Sequence, residues 1–264
     1  MLFDVKRTIR PAHFAAKDVP AELEEVRFST SDGLELEGWY IRSPGAGRTV
    51  LYVGGNGFVI ASSYHILTSI YQQGVDLFIF DYRGYGRNPG SPSFEGIQLD
   101  TEAAYRYLRN ERGVAPEELI IHGHSIGTLP ATELVNSRPA AALVLESPVT
   151  EARHMSRRFV PALLRPFVNL EFEEAVLEKS NLREVPKVTI PLLLIVGSED
   201  NITPKELAEE LYERATVEEK RLEILEGGDH NDLPRREDYR RILSEFYHRR
   251  SDWSEIEVPS QSFP

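Results

Sequence analysis

The chain of 264 residues has no cysteine. Disulfides, a thiolate nucleophile and thiolate metal sites are therefore all excluded. Blocks of like charge are missing too: 30 basic and 42 acidic residues are interspersed and leave a net charge of -12. No polyanion-binding face is expected, and nucleic acid is not an expected partner. The H-E-x-x-H spacing of a histidine-carboxylate metal site is absent, so no metal site is read. Nor does the chain open on a long apolar run, because Asp4, Lys6, Arg7 and Arg10 interrupt residues 1–17. That pattern fits neither a signal peptide nor a membrane span, and the expectation is a cytoplasmic protein with no integral membrane segment. What is present, 41% hydrophobic and 9% aromatic residues, can bury a large core, and one domain over 1–264 is expected.

Residues 25–30 and 34–41 alternate in polarity around Ser31-Asp32-Gly33. Asp-Gly supplies the positive-φ turn of an antiparallel hairpin. Short, almost continuous apolar runs follow at 49–53, 75–80, 119–122, 142–145, 192–196 and 221–225. Runs of this kind suit strands covered on both faces. Helical patterns separate them at 60–73, 96–112, 128–136, 204–214 and 235–250. Strand alternating with helix predicts an α/β fold: a mostly parallel sheet of eight strands, an N-terminal antiparallel hairpin, helices on both faces, and active residues at the carboxyl ends of strands. Residues 147–189 break the rhythm, since they are too long for a simple connection. Their apolar residues, interrupted by Pro161 and Pro166, predict short helices forming a small lid, with a crossover helix plus a packed surface loop as the alternative. Residues 1–20 read as an N-terminal arm and 253–264 as a loose tail.

The pentapeptide Gly123-His124-Ser125-Ile126-Gly127 follows one apolar run and precedes a helical pattern. This is where a G-x-S-x-G nucleophile elbow lies, with a β-carbon at either flanking glycine expected to collide with a neighbouring element. A serine hydroxyl needs a base, and the base needs a carboxylate to fix its tautomer. Seven histidines compete. His230, in the late loop Gly227-Gly228-Asp229-His230-Asn231, stands where the chain order serine, acid, histidine places the base. His122 falls inside a strand, His124 in the elbow, His65 and His248 on helical patterns, and His154 and His13 in the insertion and the arm. For the acid, Asp200 sits on the loop straight after the run 192–196 and just before Thr203-Pro204, a helix start. Glu199 and Glu146 are the alternatives. Asp229 reads as a loop carboxylate, and Asp81 as a hydrogen-bonding anchor for a glycine loop behind the site. Two backbone N–H groups are expected to hold an oxyanion: that of Ile126, after the serine, and that of Asn56, in Gly54-Gly55-Asn56-Gly57. That loop does not complete G-x-G-x-x-G, which sets a dinucleotide site aside.

Together these residues resemble an α/β-hydrolase over about residues 26–250, in the branch without a large cap that includes bacterial serine hydrolases and depalmitoylating thioesterases. The resemblance is carried by Gly54-Gly55-Asn56-Gly57, by Phe80-Asp81-Tyr82-Arg83-Gly84-Tyr85-Gly86 with Gly90-Ser91-Pro92-Ser93, by the elbow, and by Glu146-Ser147-Pro148. Gly197-Ser198-Glu199-Asp200 and Gly228-Asp229-His230-Asn231 fit the family's acid and base positions. Three departures stand out. The family usually has histidine at the position of Gly54, often glycine at that of Thr128, and its depalmitoylases carry an N-terminal cysteine cluster that this chain lacks. The resemblance implies a serine hydrolase that cleaves an ester or thioester without a cofactor, and the apolar residues of the expected lid favour a small or medium acyl substrate. Phe58, Met155 and Phe159 are the expected substrate contacts. A peptidase of the same fold and a non-catalytic ligand receptor are the alternatives.

Overall fold

The computed structural model describes residues 23–152 and 179–249. The expected arm, the expected tail and residues 153–178 of the expected lid, Met155 and Phe159 among them, lie outside the described residues. Eight strands form one sheet: β1 (Leu23–Ser29), β2 (Glu35–Ile41), β3 (Thr49–Val53), β4 (Asp76–Phe80), β5 (Leu119–His124), β6 (Ala142–Glu146), β7 (Leu192–Gly197) and β8 (Lys220–Leu225). Their spatial order is β1-β2-β4-β3-β5-β6-β7-β8. β2 pairs antiparallel with β1 and β4, and every other pair is parallel. The β1–β2 hairpin closes where expected. The Thr30 N–H donates to the Leu34 carbonyl at 2.8 Å, and Gly33 takes the left-handed conformation with φ +89°.

The continuity of the apolar runs has a direct cause. β3, β5, β6 and β7 are buried at every residue, because successive side chains point to opposite faces and each face is covered. On one face Leu51, Phe78, Ile121, Leu143 and Leu194 pack under α2 (Phe94–Arg106), α3 (Thr128–Ser137) and α5 (Lys205–Arg214). On the other, Val50, Leu77, Ile120, Val144 and Leu193 pack under α1 (Tyr64–Tyr71) and α6 (Glu237–Tyr247). A short helix, α4 (Asn181–Glu184), precedes β7. Among the described residues no helix is long and apolar enough to cross a membrane.

Several helix ends differ from those read in the sequence. The pattern over 60–73 is a 3-10 turn, Ile60–Ser62, followed by α1. Ser62 and Ser63 both donate their hydroxyls to the Val59 carbonyl, at 3.1 and 2.7 Å; such local bonds compete with a continuous helix. The pattern over 235–250 begins later than read: a 3-10 turn, Leu233–Arg235, leads into it and α6 starts at Glu237. The two ends of the 147–189 insertion meet: Glu151 and Ser180 form an antiparallel bridge, and the Ala152 N–H donates to the Lys179 carbonyl at 3.0 Å.

Candidate active site

Parallel strands place the loops after β3, β4, β5, β7 and β8 at one edge of the sheet, where such folds collect their functional residues. At the end of β5 the chain turns abruptly into the 3-10 turn Ser125–Gly127 and then α3. Ser125 adopts φ +54°, a conformation that costs a non-glycine residue on the order of 1–3 kcal/mol. The flanking glycines make the turn possible. A Cβ on Gly123 would lie 2.8 Å from both Ala131 Cβ and the Gly127 carbonyl oxygen, and one on Gly127 would lie 2.2 Å from the Val53 carbonyl oxygen. Thr128, one of the departures from the family pattern, donates its hydroxyl to the Ser125 carbonyl at 2.6 Å. The Thr128 hydroxyl oxygen in turn accepts from the Val149 N–H and from Asn181 Nδ2, which ties the elbow to the chain leaving β6.

Asp200 lies in the loop after β7. Its Oδ1 accepts the Ile202 and Thr203 N–H groups at 2.9 and 2.7 Å, and its Oδ2 accepts from His230 Nδ1 at 2.8 Å. His230 Nε2 is 3.0 Å from Ser125 Oγ. With the Nδ1 proton committed to the carboxylate, Nε2 is the acceptor for the serine hydroxyl. The acid and base loops touch through glycines: a Cβ on Gly197 would lie 2.1 Å from the Gly228 carbonyl oxygen. All three side chains are shielded, with Ser125 4%, Asp200 3% and His230 7% exposed. Burial pushes the Asp200 carboxyl up, but the hydrogen bonds from His230 and Thr203 outweigh it and hold the group below the usual carboxylate range.

The remaining candidates lie elsewhere. Glu146 bonds to other partners: its Oε2 accepts from Tyr239 Oη at 2.8 Å and meets His122 Nε2 at 3.0 Å. The Glu199 side chain is exposed. Asp229 accepts the N–H groups of Asn231 and Asp232. Asp81 accepts the Ile60 N–H at 2.8 Å. Gly55 brings its loop against the elbow, since a Cβ there would lie 2.8 Å from His124 Nδ1 and 3.1 Å from Ser125 Cβ. Asn56, the next residue, accepts from the Tyr85 hydroxyl with Oδ1 at 3.1 Å. Phe58 lays its ring over Gly54, where a Cβ would meet ring atoms at 2.4 Å, and packs against Tyr52. It is 7% exposed, and so fills the space that a larger residue at position 54 would occupy.

Two contacts escaped the sequence reading. Thr203, read only as a helix start, places its hydroxyl 3.0 Å from His230 Nδ1, 2.8 Å from Asp200 Oδ2 and 3.0 Å from the Ser147 carbonyl oxygen. His124, buried so that its neutral form is favoured, reaches the His230 carbonyl with Nε2 at 3.3 Å. A threonine three residues after the acid was the available signal for the first; the second had none.

An eight-stranded, mostly parallel sheet with this elbow at the end of its fifth strand defines an α/β hydrolase. The chain belongs to the serine aminopeptidase S33 family, whose model matches residues 46–181 and 177–234. An uncharacterized protein of Mycobacterium tuberculosis H37Rv is 34% identical over 224 residues, covering 84% of this chain and 77% of its own length. Alpha/beta hydrolase domain-containing protein 17C of Xenopus tropicalis is 30% identical over 226 residues, covering 85% of this chain and 69% of that protein. Among solved structures, an esterase of Pyrococcus furiosus superposes with a TM-score of 0.72 at 20% identity, over 92% of this chain and 96% of the esterase, a likeness of fold.

Proposed function

We propose that this protein is a serine hydrolase that cleaves carboxylic esters or thioesters of small or medium acyl groups through an acyl-enzyme on Ser125. One observation carries the proposal: an unbroken chain of contacts from Ser125 Oγ to His230 Nε2 at 3.0 Å and from His230 Nδ1 to Asp200 Oδ2 at 2.8 Å. In the first step Ser125 Oγ bonds to the carbonyl carbon while His230 Nε2 takes the hydroxyl proton. Asp200 stabilises the imidazolium, and the N–H groups of Ile126 and Asn56 hold the oxyanion. As the bond to the leaving alcohol or thiol breaks, His230 returns the proton to that leaving group. Water then repeats the sequence on the acyl-enzyme: His230 takes its proton, the acid is released, and the proton goes back to Ser125. No cofactor enters this cycle.

Labelling with a fluorophosphonate tests the proposal. Wild type is expected to take the probe, and Ser125→Ala and His230→Ala are expected to lose it, the second by a factor on the order of 10³ or more. An unlabelled wild type would instead indicate a ligand receptor on the same fold. The family's description as serine aminopeptidases favours a second reading, a peptidase using the same three residues. Faster turnover of aminoacyl nitroanilides than of nitrophenyl esters and acyl thioesters would select it.

A further inference from the structure

The segment after β4 directs three side chains at one target. Tyr82 donates its hydroxyl to the Gly54 carbonyl at 2.8 Å, Tyr85 donates to Asn56 Oδ1 at 3.1 Å, and Asp81 Oδ1 accepts the Ile60 N–H at 2.8 Å. All three partners belong to the chain running from the end of β3 into the Ile60–Ser62 turn. Both tyrosine rings are buried, at 2% and 0% exposure, so their hydroxyls are delivered from the core. From the opposite side the same loop bears on the elbow, through Gly55 against Ser125 and through the Val53 and Gly54 carbonyls against Gly127. It is thus held between the nucleophile turn and the segment after β4.

That segment is itself anchored at several points. Arg83, buried at 7% exposure, donates through Nε to Asp100 at 2.9 Å and through its terminal nitrogens to Asp32 at 2.7 and 3.1 Å. The Arg83 N–H donates to Asp100 as well, at 2.8 Å, and the Gly84 N–H closes the turn onto the Pro89 carbonyl at 2.9 Å. Gly86, with φ +54°, leaves the space in which the Asp81 carboxylate lies. The loop it supports is intrinsically permissive. Three of the four residues Gly54-Gly55-Asn56-Gly57 are glycine, and glycine alone fixes no single backbone conformation.

An oxyanion hole works because its donors are already in place before charge develops. A glycine-rich loop satisfies that condition only when it is anchored from outside. We propose that Tyr82, Tyr85 and Asp81 are positioning residues that hold the Gly54–Ile60 loop at the separation from Ser125 that the Asn56 N–H requires to stabilise the oxyanion. The inference rests on the hydrolase reading above. It assigns to the Asp81-Tyr82-Arg83-Gly84-Tyr85-Gly86 motif a role in turnover although none of its side chains meets the reacting atoms.

Tyr82→Phe and Tyr85→Phe test it, because each keeps the buried ring and removes one hydroxyl. A displacement of about 1 Å at a reacting centre costs on the order of 10²-fold. Each variant is therefore expected to lower kcat for a nitrophenyl ester about tenfold, and the pair about 10²-fold, with KM unchanged. The inhibition constant of phenylboronic acid, which forms a tetrahedral adduct with a reactive serine, is expected to weaken by the same factors. Unchanged kcat and boronate affinity in an active protein would overturn the positioning role, even if thermal stability falls. A wild type that neither turns over ester nor takes a fluorophosphonate would overturn the hydrolase reading and the positioning role with it.

Discussion

The Thr203 hydroxyl stands within 3.0 Å of His230 Nδ1, Asp200 Oδ2 and the Ser147 carbonyl oxygen, yet it has one proton to give. Given to Asp200, it leaves the hydroxyl oxygen facing the imidazole N–H as a second acceptor. The proton can also go to Ser147, whose carbonyl is presented by a residue with φ +45°. Either way Thr203 restricts the rotation of both the acid and the base. Thr203→Val keeps the shape and deletes the hydroxyl. It is expected to lower kcat about tenfold with little change in KM, and Thr203→Ser to recover most of the loss, as measured by steady-state ester hydrolysis. A valine variant with wild-type kcat would remove Thr203 from the account. The residues that lead the candidate site could be read in the sequence because each stands just past a strand end. Thr203 and His124 could not be read in that way. Their significance comes from partners 27 and 106 residues away, which only the folded chain brings near.

At the scale of elements, the same distinction separates strands from helix ends. Buried strands announce themselves by unbroken apolar runs, whereas the break at Ser63 coincides with hydroxyl bonds that leave the apolar pattern intact. α6 shows how the C-terminal helix is fixed to the sheet behind His230. Tyr239 donates to Glu146, and the Tyr247 hydroxyl meets His122 Nδ1 at 2.8 Å, so two aromatic side chains of one helix dock on polar groups of β5 and β6. The loop after β4 contains a second buried carboxyl with a different consequence. Burial pushes Asp81 up to about 7 from its ordinary 3.8, with Glu37 adding to the rise and the Ile60 N–H and Arg87 opposing it. A carboxyl raised in the folded state binds its proton more tightly there than in the unfolded chain. The stability it contributes is complete below about 4 and is lost as pH climbs through about 7. The interval corresponds to a loss on the order of 4 kcal/mol. Asp81→Asn removes that titration while Asn Oδ1 still accepts the Ile60 N–H. Urea unfolding at pH 5 and pH 8 is expected to show wild type losing stability between the two pH values relative to the variant. Parallel changes in the two proteins would show that Asp81 does not titrate in this range.

On the scale of the whole molecule, the alternation of strand and helix made the parallel sheet legible, and the Asp-Gly turn made the leading hairpin legible. The strand order was not readable from periodicity, which records burial and not adjacency; it is seen only in the folded sheet. The sheet gathers residues 56, 81, 125, 200 and 230 at one edge although they span most of the chain. That convergence turns five unremarkable loop residues into a single candidate centre. The central claim is that Ser125 carries the acyl group during turnover. The most direct test is to quench the protein in acid during the first turnover of a nitrophenyl ester and measure the mass of its peptides. The account predicts a mass gain equal to the acyl group on the peptide containing Ser125, absent from Ser125→Ala. Turnover with no acylated peptide, or with the acyl group on another residue, would contradict it.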